Sequence, residues 1–449
     1  MTETTRVRDG SGDVLVLDSE FMADPHALYE VLRVERPVMR ARMPMGLHAW
    51  LVTRYDDARA ALNDPRLSKD GAAFAQLLQR HSVAPERQEQ DAFVESLVAH
   101  MLNSDPPDHT RLRKLVGKAF TVRAIARLRP RISEIATRLA DEMAAGATAG
   151  RDEVDLLDAF AFPLPMTVIC ELLGVPDGER EAFRRWSNTL LSNAEPEQRQ
   201  PAAMAMAEYL QRLVDDKREH PGDDMLSAIV QAAEDADRLS PTEAVSMAFL
   251  LLVAGHETTV NLIGNGMLAL LRHPAQLAEL RADPDLTAGA VEELLRFDGP
   301  VNLATLRHTT EAVSIAGTEI PAGEVVFVSL GSANRDPGHY QQPDDLDLHR
   351  DTGNLAFGYG IHHCLGAPLA RLEGEIAFRT LLARFPALEL AGDPDELSWR
   401  SSTLIRGLTR LPVRLGTPAA PEDHPSRIDY PSPIDHPDQG PPTESSPPG

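Results

Sequence analysis

The sequence predicts a helix-dominated fold, mainly α with minor β-sheets, and three observations carry that expectation. Long amphipathic stretches such as Ile132 to Ala145 and Pro201 to Arg218 repeat apolar residues at helical spacing between Pro, Gly and Asp punctuation. Strand-like alternation is confined to short runs, for example Ala49 to Thr53 and Val313 to Ile320. One helix of unusual length opens at Ser240-Pro241-Thr242-Glu243 and closes before Pro274. There Ser240 caps, Pro241 suits the first helical position and Glu243 completes a capping box. At about 1.5 Å per residue it forms a rod of roughly 50 Å, enough to cross a whole domain. Its uncharged run, Ala244 to Gly255, is about a dozen residues where spanning a membrane takes about twenty, so it reads as a buried axis.

The 449 residues, 43% of them hydrophobic, suffice for a large core. A formal net charge of -24 disfavours nucleic acid and anionic membrane as general partners, since phosphate binding needs clustered cations. Only Cys170 and Cys364 occur, so no disulfide framework is expected and a reducing compartment is the simpler reading. Met1 to Val14 mixes charges of both signs without an apolar stretch, unlike a signal peptide or anchor, and a cytoplasmic protein is expected. After Gly416 the chain turns to Pro, Asp, Ser and Glu, too poor in apolar residues for a core. The expected division is an N-terminal extension at 1–17, one folded domain at 18–415 and a disordered tail at 416–449.

Chemistry concentrates in two segments. In Phe357-Gly358-Tyr359-Gly360-Ile361-His362-His363-Cys364-Leu365-Gly366, Gly358 and Gly360 tolerate the positive φ that a loop bending around sulfur requires. Cys364 precedes a helical run, Pro368 to Leu382, whose N–H groups and dipole would lower a thiol pKa. Zinc competes for His362, His363 and Cys364, but adjacent side chains rarely converge on one tetrahedral ion and no second cysteine pair exists. Cys170, set among apolar residues from Met166 to Leu173, reads as core. The second segment, Ala254-Gly255-His256-Glu257-Thr258-Thr259, lies within the long helix, and a Gly with two Thr residues continues a helix poorly. Thr258 is placed to bond back to the Ala254 carbonyl, opening the ladder toward a ligand pocket. A zinc-protease reading of His256-Glu257 fails because position 260 is Val.

The pattern Phe357-Gly358-x-Gly360-x-His362-x-Cys364-x-Gly366 resembles the haem-binding signature of the cytochrome P-450 family. That resemblance implies a single triangular, helix-rich domain enclosing haem b (iron protoporphyrin IX), with Cys364 as iron ligand in a loop holding Phe357 and Gly358. It implies propionate contacts from His362, from His109 and Arg113, spaced four apart in Asp105-Pro106-Pro107-Asp108-His109-Thr110-Arg111-Leu112-Arg113, and from Arg307. Glu257 and Thr258 match the family's proton-delivering acid and threonine, and Glu293 and Arg296 match its Glu-x-x-Arg brace. The chain departs from the family at Pro343-Asp344-Asp345-Leu346, where relatives carry a basic residue, leaving Asp345 as an acceptor for Arg296.

Arg111, Arg113, Lys114, Lys118, Arg123, Arg127, Arg129 and Arg131 occur without an acid between positions 111 and 131, an asymmetry that calls for an anionic partner. It resembles the face where an acidic ferredoxin docks. No flavin or nicotinamide module is evident, so a ferredoxin and its reductase are expected to supply electrons to a monomer. The likeness is closest to actinobacterial enzymes that oxidise macrolides, other polyketides and sterol-like molecules. By the same likeness, Val253, Ala254, Val301, Ala304, Leu404 and Ile405 would line an aliphatic pocket, with Asn302 and Thr403 as polar contacts. Leu67 to Ala99 would form a lid whose acids Glu86, Glu89, Asp91 and Glu95 read as solvated. The implied reaction is hydroxylation or epoxidation of a bulky lipophilic natural product with dioxygen. A catalytically silent partner-activating relative would be expected to lose Cys364 or Thr258, and a peroxide-driven enzyme could dispense with the acid and threonine.

Overall fold

The computed structural model describes residues 6–9, 12–81, 97–148, 152–192, 194–231 and 239–420. The acids Glu86, Glu89, Asp91 and Glu95 and the tail from 421 lie outside these residues. Helices dominate, and twelve short strands occur among the described residues. In chain order these are β1 (Arg6–Asp9), β2 (Gly12–Val16), β3 (Val38–Arg42), β4 (His48–Val52), β5 (Leu67–Ser68), β6 (Glu153–Asp155), β7 (Arg307–Thr309), β8 (Val313–Ile315), β9 (Thr318–Ile320), β10 (Val325–Val328), β11 (Glu389–Leu390) and β12 (Pro412–Arg414). The largest sheet runs β1-β2-β3-β4-β10-β7-β5; β11-β12-β6 form a second, and β8 and β9 a hairpin.

Two expectations change here. Residues 6–9 and 12–16, expected outside the folded domain, form β1 and β2, and β2 pairs in parallel with β3 through Leu15–Ala41. Val14, Leu15 and Leu17 are buried, which anchors this edge. The run from Val313 to Ile320 is not one strand but two, because Ala316 and Gly317 both take positive φ (49° and 75°) and turn the chain back.

The central helix, Pro241–Arg272, carries the expected capping box: Glu243 N–H donates to Ser240 Oγ (3.1 Å), and Ser240 N–H to Glu243 Oε2 (2.7 Å). It is long and apolar enough to span a membrane, yet 72% of its apolar window is buried inside the fold. It packs against the helices Pro163–Leu173, Thr287–Asp298 and Ala367–Arg384. A Cβ on Gly266 would lie 2.6 Å from the Phe378 ring, so a glycine there lets the central helix approach Ala367–Arg384 closely. Cys170 is fully buried in Pro163–Leu173, in the apolar setting its neighbours dictate.

Candidate active site

The cysteine loop is shaped by its glycines. Gly358 and Gly360 take φ of 71° and 74°. A Cβ on Gly360 would also meet Asn63 Oδ1 at 2.7 Å, because the helix Tyr55–Asn63 presses on the loop. Arg59 of that helix donates to the Tyr359 hydroxyl (2.8 Å) and covers its ring. Cys364 N–H donates to the Phe357 carbonyl (2.9 Å), and Arg113 to the His363 carbonyl (2.7 Å). Arg371 stacks over Phe357 with 4.5 Å to the ring centre and pairs with Glu292 at 2.5 Å.

Cys364 has an accessible side chain although protein crowds it closely, the situation of a group facing an internal hollow. Burial pushes its thiol pKa up, against the opposing pull of the Gly366 N–H, Arg113, Arg371 and the Ala367 N–H. The helix terminus thus acts in the direction expected, but desolvation outweighs it, so the net direction is opposite to the lowered thiol pKa expected from the sequence. A bound cation would supply what the loop lacks, because metal coordination deprotonates a thiol outright.

Around His362 a cradle forms. His109 and His362 rings lie 4.3 Å apart, and each has a buried Nε2 without a partner. Lys69, His109, Arg307 and Arg113 all act electrostatically on His362, which is driven by burial first and by these charges second to about 2. Arg307 is buried, and its sole side-chain hydrogen bond among the described residues is a long one, 3.3 Å, to the Thr305 carbonyl. Buried cations and orphaned imidazole nitrogens ask for an anion. The two carboxylates of a haem fit that demand, beside a cysteine able to bind its iron.

Thr258 Oγ1 donates to the Ala254 carbonyl at 2.9 Å, as its spacing suggests, but the helix continues without interruption from Pro241 to Arg272. Gly255 serves packing, since a Cβ there would lie 2.9 Å from Ile169 Cδ1. Ala254 is exposed in the middle of this helix while Leu252, Val253 and His256 are buried, so the face shared by Ala254 and Thr258 borders a hollow.

Glu257 turns elsewhere. It is buried, accepts from Arg400 Nη1 (2.8 Å) and Ser187 Oγ (2.9 Å), and lies 3.4 Å from His256 Nε2. Arg400 also donates to Asn188, tying in the helix Arg180–Leu191. Burial alone would raise its pKa, yet His256, Arg400 and Ser187 hold it down to about 2. The expected proton donor is therefore a carboxylate locked in a network, and neither Ser187 nor Arg400 carries a local sequence signal.

The Glu293–Arg296 pair is buried and bidentate, at 2.7 and 2.8 Å. Arg296 also donates to the carbonyls of Asn334, Pro343 and Asp345. Asp345 thus contributes its backbone rather than its carboxylate. The basic third member sits farther along, at Arg350, 3.2 Å from Glu293, while Asp344 pairs with Arg335.

Of the pocket positions, Val301 bridges to Ile405, and Asn302 N–H donates to the Leu404 carbonyl, bringing these two runs side by side. Val253, Ala304 and Ile405 are buried; Thr403 and Leu404 are half-buried. Asn302 does not serve as a polar pocket contact, because its Oδ1 accepts from the Tyr29 hydroxyl (2.8 Å) in the interior. The basic face also narrows. Arg111 pairs with Glu243, Arg129 with Glu375, Arg131 with Glu171, and Arg113 serves the cysteine loop. Lys114, Lys118, Arg123 and Arg127 remain exposed without an ion pair among the described residues.

A helical domain that sets a glycine-bent cysteine loop beside a cationic cradle defines a haem-thiolate protein, and residues 69–411 match the Cytochrome P450 family model. The chain belongs to that family. It is 54% identical over 405 residues to Cytochrome P450 107B1 of Saccharopolyspora erythraea, covering 90% of this chain and 98% of the relative. Cytochrome P450 monooxygenase PikC of Streptomyces venezuelae is 52% identical, covering 90% and 94%. The tirandamycin C-bound P450 monooxygenase TamI superposes with a TM-score of 0.83 at 52% identity, covering 89% of this chain and all of that one. The protein is a cytochrome P450 monooxygenase, and its cofactor is haem, iron protoporphyrin IX.

Proposed function

We propose that this monooxygenase inserts one atom of dioxygen, by hydroxylation or epoxidation, into a bulky lipophilic natural product such as a macrolide, polyketide, macrocyclic peptide or sterol. The observation that carries the chemistry is Cys364, accessible at the end of a loop closed by its own N–H and flanked by a cationic cradle. Cys364 ligates the iron as thiolate, and His109, Arg113, Arg307 and His362 hold the propionates. When bound, haem supplies oxygen reduction and transfer, with the thiolate donating electron density. The substrate class is supported by the aliphatic character of Val253, Ala254, Val301, Ala304, Leu404 and Ile405, and by relatives named 6-deoxyerythronolide B hydroxylase and Vitamin D(3) 25-hydroxylase. Thr403 is the polar side chain left to orient it.

Thr258 spends its hydroxyl hydrogen on Ala254, which leaves oxygen lone pairs to hold a proton donor in the hollow. Glu257, as a carboxylate, orders Ser187 and Arg400 behind it. Thr258→Ala should leave the haem spectrum intact while diverting reducing equivalents to peroxide. Peroxide release and product formation per electron measure this, and unchanged coupling would sink the role.

The exposed Lys114, Lys118, Arg123 and Arg127 are the docking surface for an acidic ferredoxin, served by its reductase, in a monomeric cytoplasmic enzyme. Reversing charge with Lys114→Glu and Lys118→Glu should slow reduction by ferredoxin about tenfold at low ionic strength and less at high salt. Stopped-flow reduction checks it; equal rates at both salt concentrations would remove these residues from the interface.

The whole reading is tested by the reduced carbon monoxide difference spectrum. A thiolate-ligated haem gives a Soret band far to the red of a histidine-ligated one. Type I spectral shifts against a lipophilic natural-product panel then identify the substrate.

A further inference from the structure

Lys69 follows β5 directly. Ser68 pairs with His308 in the β5–β7 ladder, so continuing that register by one residue sets Lys69 opposite Arg307. Asp105 fixes the strand end, accepting from Ser68 Oγ (2.5 Å) and from the Lys69 backbone N–H (3.1 Å) just before the helix that carries His109 and Arg113. The Lys69 side chain is buried, with 4% exposure. Its Nζ donates to Thr305 Oγ1 at 2.6 Å and to the Leu306 carbonyl at 3.5 Å, the outer limit of a hydrogen bond. An ammonium carries three donors, so one is left without an acceptor among the described residues, and no carboxylate among them pairs with Nζ.

A buried ammonium without a counter-ion tends to lose its proton, and burial followed by Arg307 does push Lys69 well below the ordinary lysine range. The charges nearby suggest what restores it. Lys69, Arg113 and Arg307 share this corner, and among the described residues the acid that acts on Lys69 and Arg307 is Asp105, whose oxygens are engaged by Ser68 and a backbone N–H. The surplus is two positive charges, which matches the two propionates of haem b. His100, buried with an unpartnered Nδ1, also feels the Lys69 charge.

We propose that Lys69 is a further cofactor-positioning residue, its free N–H taking a haem propionate and completing the charge balance of the cradle. This rests on the cradle reading of His109, Arg113, Arg307 and His362. The test loads the full-length chain with haem or with haem dimethyl ester and follows transfer to excess apomyoglobin. Lys69→Met should release haem on the order of tenfold faster than the parent, a charge-assisted hydrogen bond's worth, and Lys69→Arg should recover most of it. With the diester, parent and Lys69→Met should release alike, since the esters carry no charge. Equal acceleration for both porphyrins would overturn the pairing and leave Lys69 a packing residue. A parent lacking the far-red carbon monoxide band would instead sink the haem-thiolate reading itself. Should Lys69→Met fail to fold, Thr305→Val, which frees Nζ while keeping its charge, decides by the same comparison.

Discussion

Replacing Cys364 with histidine should abolish the far-red Soret band of the reduced carbon monoxide complex and lower product formation by roughly four orders of magnitude or more, the scale on which removing an essential group acts. The loop itself should survive. Its geometry rests on Gly358 and Gly360, on the backbone bond from residue 364 to Phe357, and on Arg59 and Arg371, none of which depends on sulfur. Haem should remain bound through the cradle, because His109, Arg113, Arg307 and His362 are unaltered. What disappears is the electron-rich ligand. A Cys364→His protein that keeps the thiolate-type band, or one that still turns over at parental rates, would place the ligand elsewhere.

Arg296→Leu should destabilise the domain by about 3–5 kcal/mol, since it takes from the buried Glu293 its bidentate partner and leaves the longer contact to Arg350 as its remaining ion pair among the described residues. That is a large share of the roughly 5–15 kcal/mol available to a whole domain. The loss is compounded because Arg296 also serves the Asn334, Pro343 and Asp345 carbonyls, which the leucine leaves unpaired. Arg350→Leu removes one charged contact to Glu293 and the exposed bonds to the Gln341, Gln342 and Asp345 carbonyls but keeps the central pair, so about 1–3 kcal/mol is expected. Denaturant unfolding of the haem-loaded protein, with haem retention followed in parallel, checks both. Equal effects from the two substitutions would mean that Glu293 and Arg296 do not form the centre of the brace.

What was legible in the sequence was local. The capping box at Ser240, the Thr258 bond to Ala254, the Glu293–Arg296 pair and the glycines around Cys364 all lie within a few residues of their partners, where helix periodicity and turn stereochemistry dictate the outcome. The β8–β9 turn shows the limit of even that scale. Ala316 takes a positive φ that its type disfavours, because the hairpin needs it; Gly317 marks the turn but does not announce that the residue before it turns as well.

The sequence by itself determined the class of fold, the glycine-bent cysteine loop and the cations and histidines that the fold gathers beside it. Tertiary structure decided how each group is used. Arg350 reaches Glu293 and Arg400 reaches Glu257 across long separations in the chain, and Asn302 turns to Tyr29 rather than to the pocket. It decided the sign of the Cys364 shift as well. A helix terminus acts over one turn and can be read from spacing, whereas desolvation sums over every atom the fold packs nearby, and only the folded chain assembles that sum.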